Sequence, residues 1–308
     1  MPRDPFDPAA VSAETAAFNA DLAAKLKDAP RPFDVPVAET RQARAEGRGL
    51  FPLQGPLKGS EWVEIPGASS GPGQIRLSLP DSAPRGVYLH IHGGGWTLGN
   101  PEHLDGFNQR IAKATGLAVA SVQYRLAPEH RWPDCADDCL AAAEWALGVF
   151  EGPMFIGGES AGAHLSAITL LRLKSRGRSD LVKGMILNYG AFDLSGTPSL
   201  RNWGEIYLIL STPVVDWFTQ NLLQGQEAPE ASPLHADLSG LPPALFQVGT
   251  LDPLLDDTLF MEARWRAAGN QTELAIAPGG VHAFDCFDLA IAREAHACQD
   301  AFLNKLLR

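Results

Sequence analysis

Short apolar runs, each closed by glycine or a polar turn, recur along the chain from Glu61 onward. The later runs do not alternate with polar residues, and this pattern predicts strands that are buried on both faces. These runs are Val87–Ile91, Leu117–Val122, Met154–Ile156, Met185–Leu187, Ala244–Val248 and Leu274–Ile276. Two earlier segments, Glu61–Ile65 and Gln74–Leu79, alternate better and are predicted to form an antiparallel edge.

Helical segments are predicted between these strands. They are Leu104–Thr115, Asp134–Val149, Ala161–Arg176, Leu255–Ala268 and Leu289–Leu306. Strands that alternate with helices indicate a mainly parallel central sheet flanked by helices on both faces, and therefore an α/β fold.

Two regions depart from this rhythm and predict a helical cap. Near the N-terminus, Asp7 can cap a helix, Pro8 suits its first position, and apolar residues recur at helical period as far as Leu26. Leu194 to His235 is rich in aromatic and aliphatic side chains without a strand-like run, which indicates a helical insertion over the carboxyl edge of the sheet. The predicted division is an N-terminal cap segment with a linker, a first core part, a cap insertion and a second core part: residues 1–50, 51–193, 194–235 and 236–308.

Composition narrows the class of partner. The 308 residues are 45% hydrophobic and 20% charged, as in ordinary soluble proteins, and the formal net charge is −11. This negative charge argues against binding to nucleic acid and against stable association with a membrane. No stretch reaches the roughly 18 apolar residues that a membrane span requires. The N-terminus lacks the apolar segment of a secretory leader, and the four cysteines show no metal-site spacing. We therefore expect reduced thiols, no metal and a cytoplasmic location.

The strongest chemical signal is the string Gly158-Glu159-Ser160-Ala161-Gly162, which follows a predicted strand and precedes a predicted helix. In that context G-x-S-x-G is typical of a sharp turn that exposes a nucleophilic serine. The helix that begins there also points its N-terminal amides toward the same place, where they favour a developing anion. Ser160 is therefore the candidate nucleophile.

A second signal, His92-Gly93-Gly94-Gly95-Trp96, follows the strand that ends at Ile91. Consecutive glycines leave backbone amides unshielded, as an oxyanion hole requires.

The predicted base is His282, in the loop before the final helix, and Asp252 is the acid predicted to orient it. Both follow predicted strands, and the order Ser, Asp, His along the chain is that of α/β-hydrolases. Asp256 and Asp257 lie nearby but fall inside the following helix. His90 and His164 are interpreted as packed residues, and Glu159 either tunes the site or anchors the turn by a salt bridge.

Aromatic side chains near these motifs are candidates for lining a substrate pocket. They are Trp96, Trp203, Tyr207 and Phe284. The aromatic positions between Trp203 and Phe218 fit equally well as the core of the cap itself, so both interpretations stay open.

Five blocks together resemble the hormone-sensitive-lipase-like family of bacterial carboxylesterases. They are the His92–Trp96 and Gly158–Gly162 strings, Tyr124–Glu129, Asp252–Leu254 and His282–Phe284. The resemblance runs from about Val87 to the C-terminus. It implies an α/β-hydrolase core with a helical cap, and hydrolysis of short- to medium-chain acyl esters without a cofactor. It also implies oxyanion donors at Gly94, Gly95 and Ala161, and homodimers form in many members of the family.

The chain departs from the family pattern at two places. Ala163 and His164 stand where a further glycine is usual, and Ala283 stands where the family shows glycine. The string from Ser160 to Leu165 also resembles kynurenine formamidases, which share the fold and triad. An arylformamidase or amidase is therefore the alternative within enzymes, and a non-catalytic ligand receptor of this fold is the alternative outside them.

Overall fold

A mainly parallel β-sheet runs through the centre of the protein. The computed structural model describes residues 4–68 and 71–308. Its strands are β1 (Ser60–Ile65), β2 (Gly73–Ser78), β3 (Val87–Ile91), β4 (Ala118–Gln123), β5 (Met154–Glu159), β6 (Val182–Asn188), β7 (Ala244–Leu251) and β8 (Thr272–Val281). Across the sheet they lie in the order β1-β2-β4-β3-β5-β6-β7-β8.

Pairing in the sheet is parallel from β4 through β8, while β2 runs antiparallel to both of its neighbours, β1 and β4. The predicted parallel sheet with an antiparallel edge is thus confirmed. Because the strands are parallel, the loops that follow them meet at one edge of the sheet, where the sites of such folds lie.

The helices are α1 (Ala13–Leu26), α2 (Val37–Ala45), α3 (Asp105–Thr115), α4 (Asp134–Val149), α5 (Ala161–Ser175), α6 (Pro198–Trp203), α7 (Thr212–Leu223), α8 (Leu255–Ala267) and α9 (Ala290–Leu306). The predicted helices of the core agree with α3, α4, α5, α8 and α9 to within a residue at each end. Among the helices of residues 4–68 and 71–308, none is both long and apolar enough to cross a bilayer.

The apolar core lies on both faces of the sheet. Successive residues of β5 illustrate the division, since Ile156 packs in the cluster that includes α4 and α5, and Phe155 packs with α3 and α9. Both side chains are fully buried. Burial on both faces explains why the strands read as continuous apolar runs rather than as alternating ones.

The N-terminal segment differs from the single helix predicted for it. Asp7 caps only a short 3-10 helix, Pro8–Ala10, and α1 begins separately, with the Ser12 side chain accepting a hydrogen bond from the amide of Thr15. Helix α2 was not predicted, because it has no buried residue and so lacks an apolar stripe.

The interval from Leu194 to His235 contains α6 and α7, together with the 3-10 helices Pro229–Ala231 and Pro233–His235. Side chains of α1, α2 and α7 line a cavity at the carboxyl edge of the sheet, where the helical cap is predicted.

Candidate active site

Ser160 occupies the turn between β5 and α5. Its φ of +56° lies in a region that is strained for any residue other than glycine. The turn is held by a hydrogen bond of 2.9 Å from the Ser160 amide to the carbonyl of Asn188 in β6. The hydroxyl is thereby fixed at the carboxyl edge of the sheet, beside the N-terminus of α5.

The two glycines around Ser160 are required by a close backbone contact. A Cβ atom at Gly158 would lie 2.0 Å from the carbonyl oxygen of Ile91, and one at Gly162 would lie 1.8 Å from the same atom. Only glycine therefore allows the end of β3 to approach the turn this closely, which brings the glycine loop after β3 beside Ser160.

His282 and Asp252 meet Ser160 at this edge. The Nε2 atom of His282 lies 2.9 Å from Ser160 Oγ, and its Nδ1 atom lies 2.9 Å from an oxygen of Asp252. The other Asp252 oxygen accepts a hydrogen bond of 2.9 Å from the amide of Leu254. All three side chains predicted as a triad are thus joined in one hydrogen-bonded chain. With Asp252 accepting from Nδ1–H, Nε2 is left to accept the serine proton.

The amides predicted to form the oxyanion hole have no hydrogen-bond acceptor in the described part of the chain. Among the described residues, no backbone or side-chain oxygen accepts from the amides of Gly94, Gly95 or Ala161. Gly94 and Gly95 have φ of +119° and +59° in a tight turn that is closed by the Leu98 amide donating to the Gly94 carbonyl. Free amides in a loop of fixed geometry suit a developing oxyanion.

Glu159 connects the serine turn to the glycine loop. One of its oxygens accepts from the Gly93 amide at 2.8 Å, and the other lies 3.0 Å from Nε2 of the buried His90. His90 in turn bonds Ser121 through Nδ1 at 2.8 Å. Of the two roles considered for Glu159, the contacts favour anchoring, because both carboxylate oxygens are engaged by neighbouring elements.

His164 connects the loop and helix α5 to the cap insertion. Its Nδ1 accepts from the indole of Trp96 at 3.0 Å, and its Nε2 donates to the carbonyl of Ala231 at 2.7 Å. Burial lowers the pKa of His164 to about 4, so the ring is neutral near pH 7. The residue that departs from the family pattern is therefore a structural link.

Sequence reasoning missed Tyr189, which has a φ of +38° just after β6. Its ring packs edge-on against His282, with 4.9 Å between centroids, and its hydroxyl donates to the buried Asp285. Burial raises the pKa of Asp285 to about 6. A tyrosine after a strand carries no motif, so only the fold identifies this contact.

A cavity of about 850 Å³ opens above Ser160 and His282. One side, here the strand-end wall, comprises residues 92–96, 159–161 and 282. The other side, the helical wall, comprises cavity-lining residues between 25 and 54 and between 207 and 218. Residues 48–54, which follow α2, thus supply part of this wall.

The aromatic candidates divide between cavity and core. Trp96 and Tyr207 line the cavity, whereas Trp203 and Phe284 do not, so the expectation for these two was wrong. The Trp203 indole donates to the carbonyl of Ile206 at 2.8 Å, and Phe284 is buried in the apolar cluster with Tyr189. Phe218, for which the sequence left both interpretations open, lines the cavity beside Gly95, where a Cβ would lie 2.3 Å from its ring.

Helix α2 is fastened to the glycine loop through Arg41. Its guanidinium donates to the carbonyls of Thr97 and Ala127 at 2.9 and 2.8 Å, and it pairs with Glu129 at 2.8 Å. This pairing lowers the pKa of Glu129. The Tyr124–Glu129 block therefore helps to hold the cap in place.

Within residues 4–68 and 71–308, no group of three or more His, Cys, Asp or Glu side chains could hold a metal ion. All four cysteines, Cys135, Cys139, Cys286 and Cys298, are free.

Comparison with known proteins identifies the family. The model of the alpha/beta hydrolase fold family matches residues 88–286, which is more than half of the chain. The protein belongs to this family and, within it, to the hormone-sensitive-lipase-like carboxylesterases.

Two curated relatives come from Mycobacterium tuberculosis. The chain is 32% identical over 248 residues to carboxylesterase NlhH, a match that covers 76% of this chain and 76% of NlhH. It is 35% identical over 216 residues to carboxylic ester hydrolase LipN, covering 64% of this chain. The matched stretch spans 57% of LipN, just over half of that protein.

Solved structures agree over nearly the whole chain. A hyperthermophilic esterase from the archaeon Pyrobaculum calidifontis superposes with a TM-score of 0.84 at 31% identity, covering 96% of this chain and 98% of that one. A hormone-sensitive lipase from a metagenome library gives a TM-score of 0.83 at 25% identity, with the same coverage of each chain.

Proposed function

We propose that this protein is a serine carboxylesterase that hydrolyses short- to medium-chain acyl esters through an acyl-enzyme intermediate. The observation that carries the proposal is the hydrogen-bonded chain from Ser160 through His282 to Asp252 at the base of the cavity. The relatives named as ester hydrolases support the reaction class.

In the proposed mechanism, Ser160 Oγ attacks the ester carbonyl while His282 Nε2 takes the hydroxyl proton. Asp252 holds the imidazole in the required tautomer and stabilises its cationic form. The tetrahedral oxyanion accepts hydrogen bonds from the amides of Gly94, Gly95 and Ala161. One such donor is typically worth about 3 kcal/mol of barrier.

The protonated His282 then gives its proton to the leaving alcohol, and the acyl group stays on Ser160. Water enters, His282 again acts as base, and attack on the acyl carbon releases the acid and regenerates the serine. Each step uses side chains and amides of this chain, and the scheme includes no cofactor.

The two alternatives lack a supporting observation. The comparisons do not favour an arylformamidase or amidase, since the relatives described above are named for ester hydrolysis. A non-catalytic receptor does not require a nucleophile, base and acid in hydrogen-bond contact. The cytoplasmic location, the homodimer and the division into cap and core segments stay predictions.

The first test is kcat/KM for p-nitrophenyl esters of increasing acyl length, measured beside an aryl formamide. We expect turnover to peak at short or medium chains and to fall by at least about 10⁴-fold in Ser160→Ala. Fast formamide cleavage with poor ester turnover would instead support the amidase. Ester turnover retained in Ser160→Ala would contradict the mechanism.

A further inference from the structure

Arg44 stands out among the lysine and arginine residues of the cavity because its guanidinium has no hydrogen-bond or ion-pair partner in the described part of the chain. It lies in the last turn of α2 and lines the cavity above Ser160. Among the described residues, no oxygen accepts a hydrogen bond from its guanidinium and no carboxylate pairs with it. The guanidinium lies over the ring of Phe51, with 5.3 Å between the guanidinium carbon and the ring centroid.

The other lysine and arginine residues that line the cavity are engaged. Lys25 pairs with Asp21 at 2.7 Å, and Arg48 pairs with Glu46. The guanidinium of Arg31 donates to the carbonyls of Leu26 and Ala29, at 3.1 and 3.0 Å.

The acidic groups of the cavity do not neutralise Arg44 either. Glu39, an exposed residue of α2, forms no ion pair among the described residues. Both oxygens of Glu159 are engaged, by the Gly93 amide and by His90. A cation in the wall of the cavity is thus left to be paired by whatever enters.

An unpaired cation in a partly apolar cavity is energetically unfavourable. Burial lowers the pKa of Arg44 from its usual value, which is the direction expected when a charged group loses water without gaining an anion. The contact with an aromatic face compensates only in part for the lost hydration of the guanidinium. A ligand carboxylate would offset the cost more fully, because a guanidinium can donate two parallel hydrogen bonds to it.

We propose that Arg44 recognises a carboxylate carried by the substrate, so that this enzyme prefers esters with an ionised acidic group over their neutral analogues. This inference rests on the proposed esterase function and names the substrate class of the same site. Because the net charge of the chain is −11, the protein as a whole repels anions. Preference for an anionic ester must therefore come from a local cation.

The test compares matched ester pairs in wild type and in variants. On the acyl side, mono-p-nitrophenyl glutarate is compared with p-nitrophenyl pentanoate. On the alcohol side, 4-acetoxybenzoate is compared with phenyl acetate. The measured quantity is the ratio of kcat/KM for the anionic ester to that for the neutral ester of the same pair.

We expect Arg44→Met to lower this ratio about 10- to 100-fold in one of the two pairs, mainly through KM, as for loss of a charge-assisted hydrogen bond. The affected pair shows which end of the ester carries the carboxylate. Arg44→Lys should restore part of the ratio, because it keeps the charge but loses the planar fork. Arg48→Met is the matched control: it removes an equal charge from the same cavity but one already paired with Glu46, and it should leave the ratio unchanged.

Two results would overturn the inference. One is an unchanged ratio in Arg44→Met for both pairs, and the other is an equal fall in Arg48→Met, which would indicate only bulk electrostatics. Neither result would contradict the proposed esterase function. That function is tested separately by the loss of neutral-ester turnover in Ser160→Ala.

Discussion

The strand-end wall and the helical wall of the cavity differ in how their polar groups are held. On the strand-end wall, Ser160, His282 and Glu159 each bond a neighbour that is itself fixed by the sheet. On the helical wall, the guanidinium of Arg44 bonds no described residue, and Tyr207 contacts Arg31 only through its ring face. The difference teaches that reaction geometry depends on the wall built by the sheet, while the helical wall is available for substrate selection.

The largest effect is expected where the hydrogen-bonded chain is broken. Asp252→Asn leaves the size of the side chain unchanged but lets its amide donate to His282, which favours the tautomer that cannot accept the serine proton. We expect kcat to fall by about 10³- to 10⁴-fold with KM little changed, measured with a p-nitrophenyl ester. Retention of more than about a tenth of kcat would show that Asp252 does not orient His282.

A second effect tests backbone packing in the strand-end wall. Gly162→Ala places a Cβ at 1.8 Å from the Ile91 carbonyl oxygen, so the turn must shift. We expect a loss of about 3 kcal/mol or more in the free energy of unfolding, measured by urea denaturation.

Gly148→Ala in α4 is the control, because a Cβ there meets no atom within 4 Å. Alanine in an open helical position should stabilise by about 0.5–1 kcal/mol. Equal effects of the two substitutions would refute the packing argument.

A third effect concerns His164, which links the two regions. In the unfolded chain it binds a proton below about pH 6.5, whereas in the folded protein burial lowers its pKa to about 4. Its contribution to stability is therefore complete above pH 6.5 and is lost as the pH falls toward 4, by up to about 1.4 kcal/mol per pH unit.

Replacing His164 with glutamine removes this titration. We expect the stability difference between pH 7 and pH 5 to shrink by up to about 2 kcal/mol in His164→Gln, measured by urea denaturation at each pH. The same acid dependence in both proteins would mean that His164 is protonated without cost when folded.

The smallest effect is expected at a residue of the cap that lies outside the cavity. Trp203→Leu should change kcat/KM by less than about twofold, since surface substitutions away from a site have small effects. Tyr207→Leu, on the helical wall, should change kcat/KM by more than Trp203→Leu does, mainly through KM. A larger loss of kcat/KM in Trp203→Leu than in Tyr207→Leu would contradict the assignment of Tyr207, and not Trp203, to the helical wall.

Much of the strand-end wall could be predicted from the sequence, because short motifs impose its backbone. Gly158 and Gly162 are needed for one close backbone contact, and Gly94 and Gly95 for positive φ. Short sequence motifs therefore identify this part of the site. His282 was located by its position between the last apolar run, Leu274–Ile276, and the final predicted helix, although β8 continues to Val281.

The helical wall could not be predicted in the same way. Helix α2 has no apolar stripe, and its position depends on Arg41 bonding residues that are distant in the sequence. Aromatic type alone did not separate Phe218, which lines the cavity, from Trp203, which does not. Such choices depend on tertiary contacts rather than on local pattern.

The absence of hydrogen bonds from the helical wall to the triad has a consequence for directed evolution. Ser160, Asp252 and His282 bond one another and the amide of Leu254, and no described side chain of the helical wall bonds any of them. Mutational libraries confined to this wall, with Phe218 beside Gly95 left unchanged, can therefore vary shape and charge while the hydrogen bonds of the triad remain. A single scaffold can in this way yield a series of enzymes with one chemistry and many selectivities.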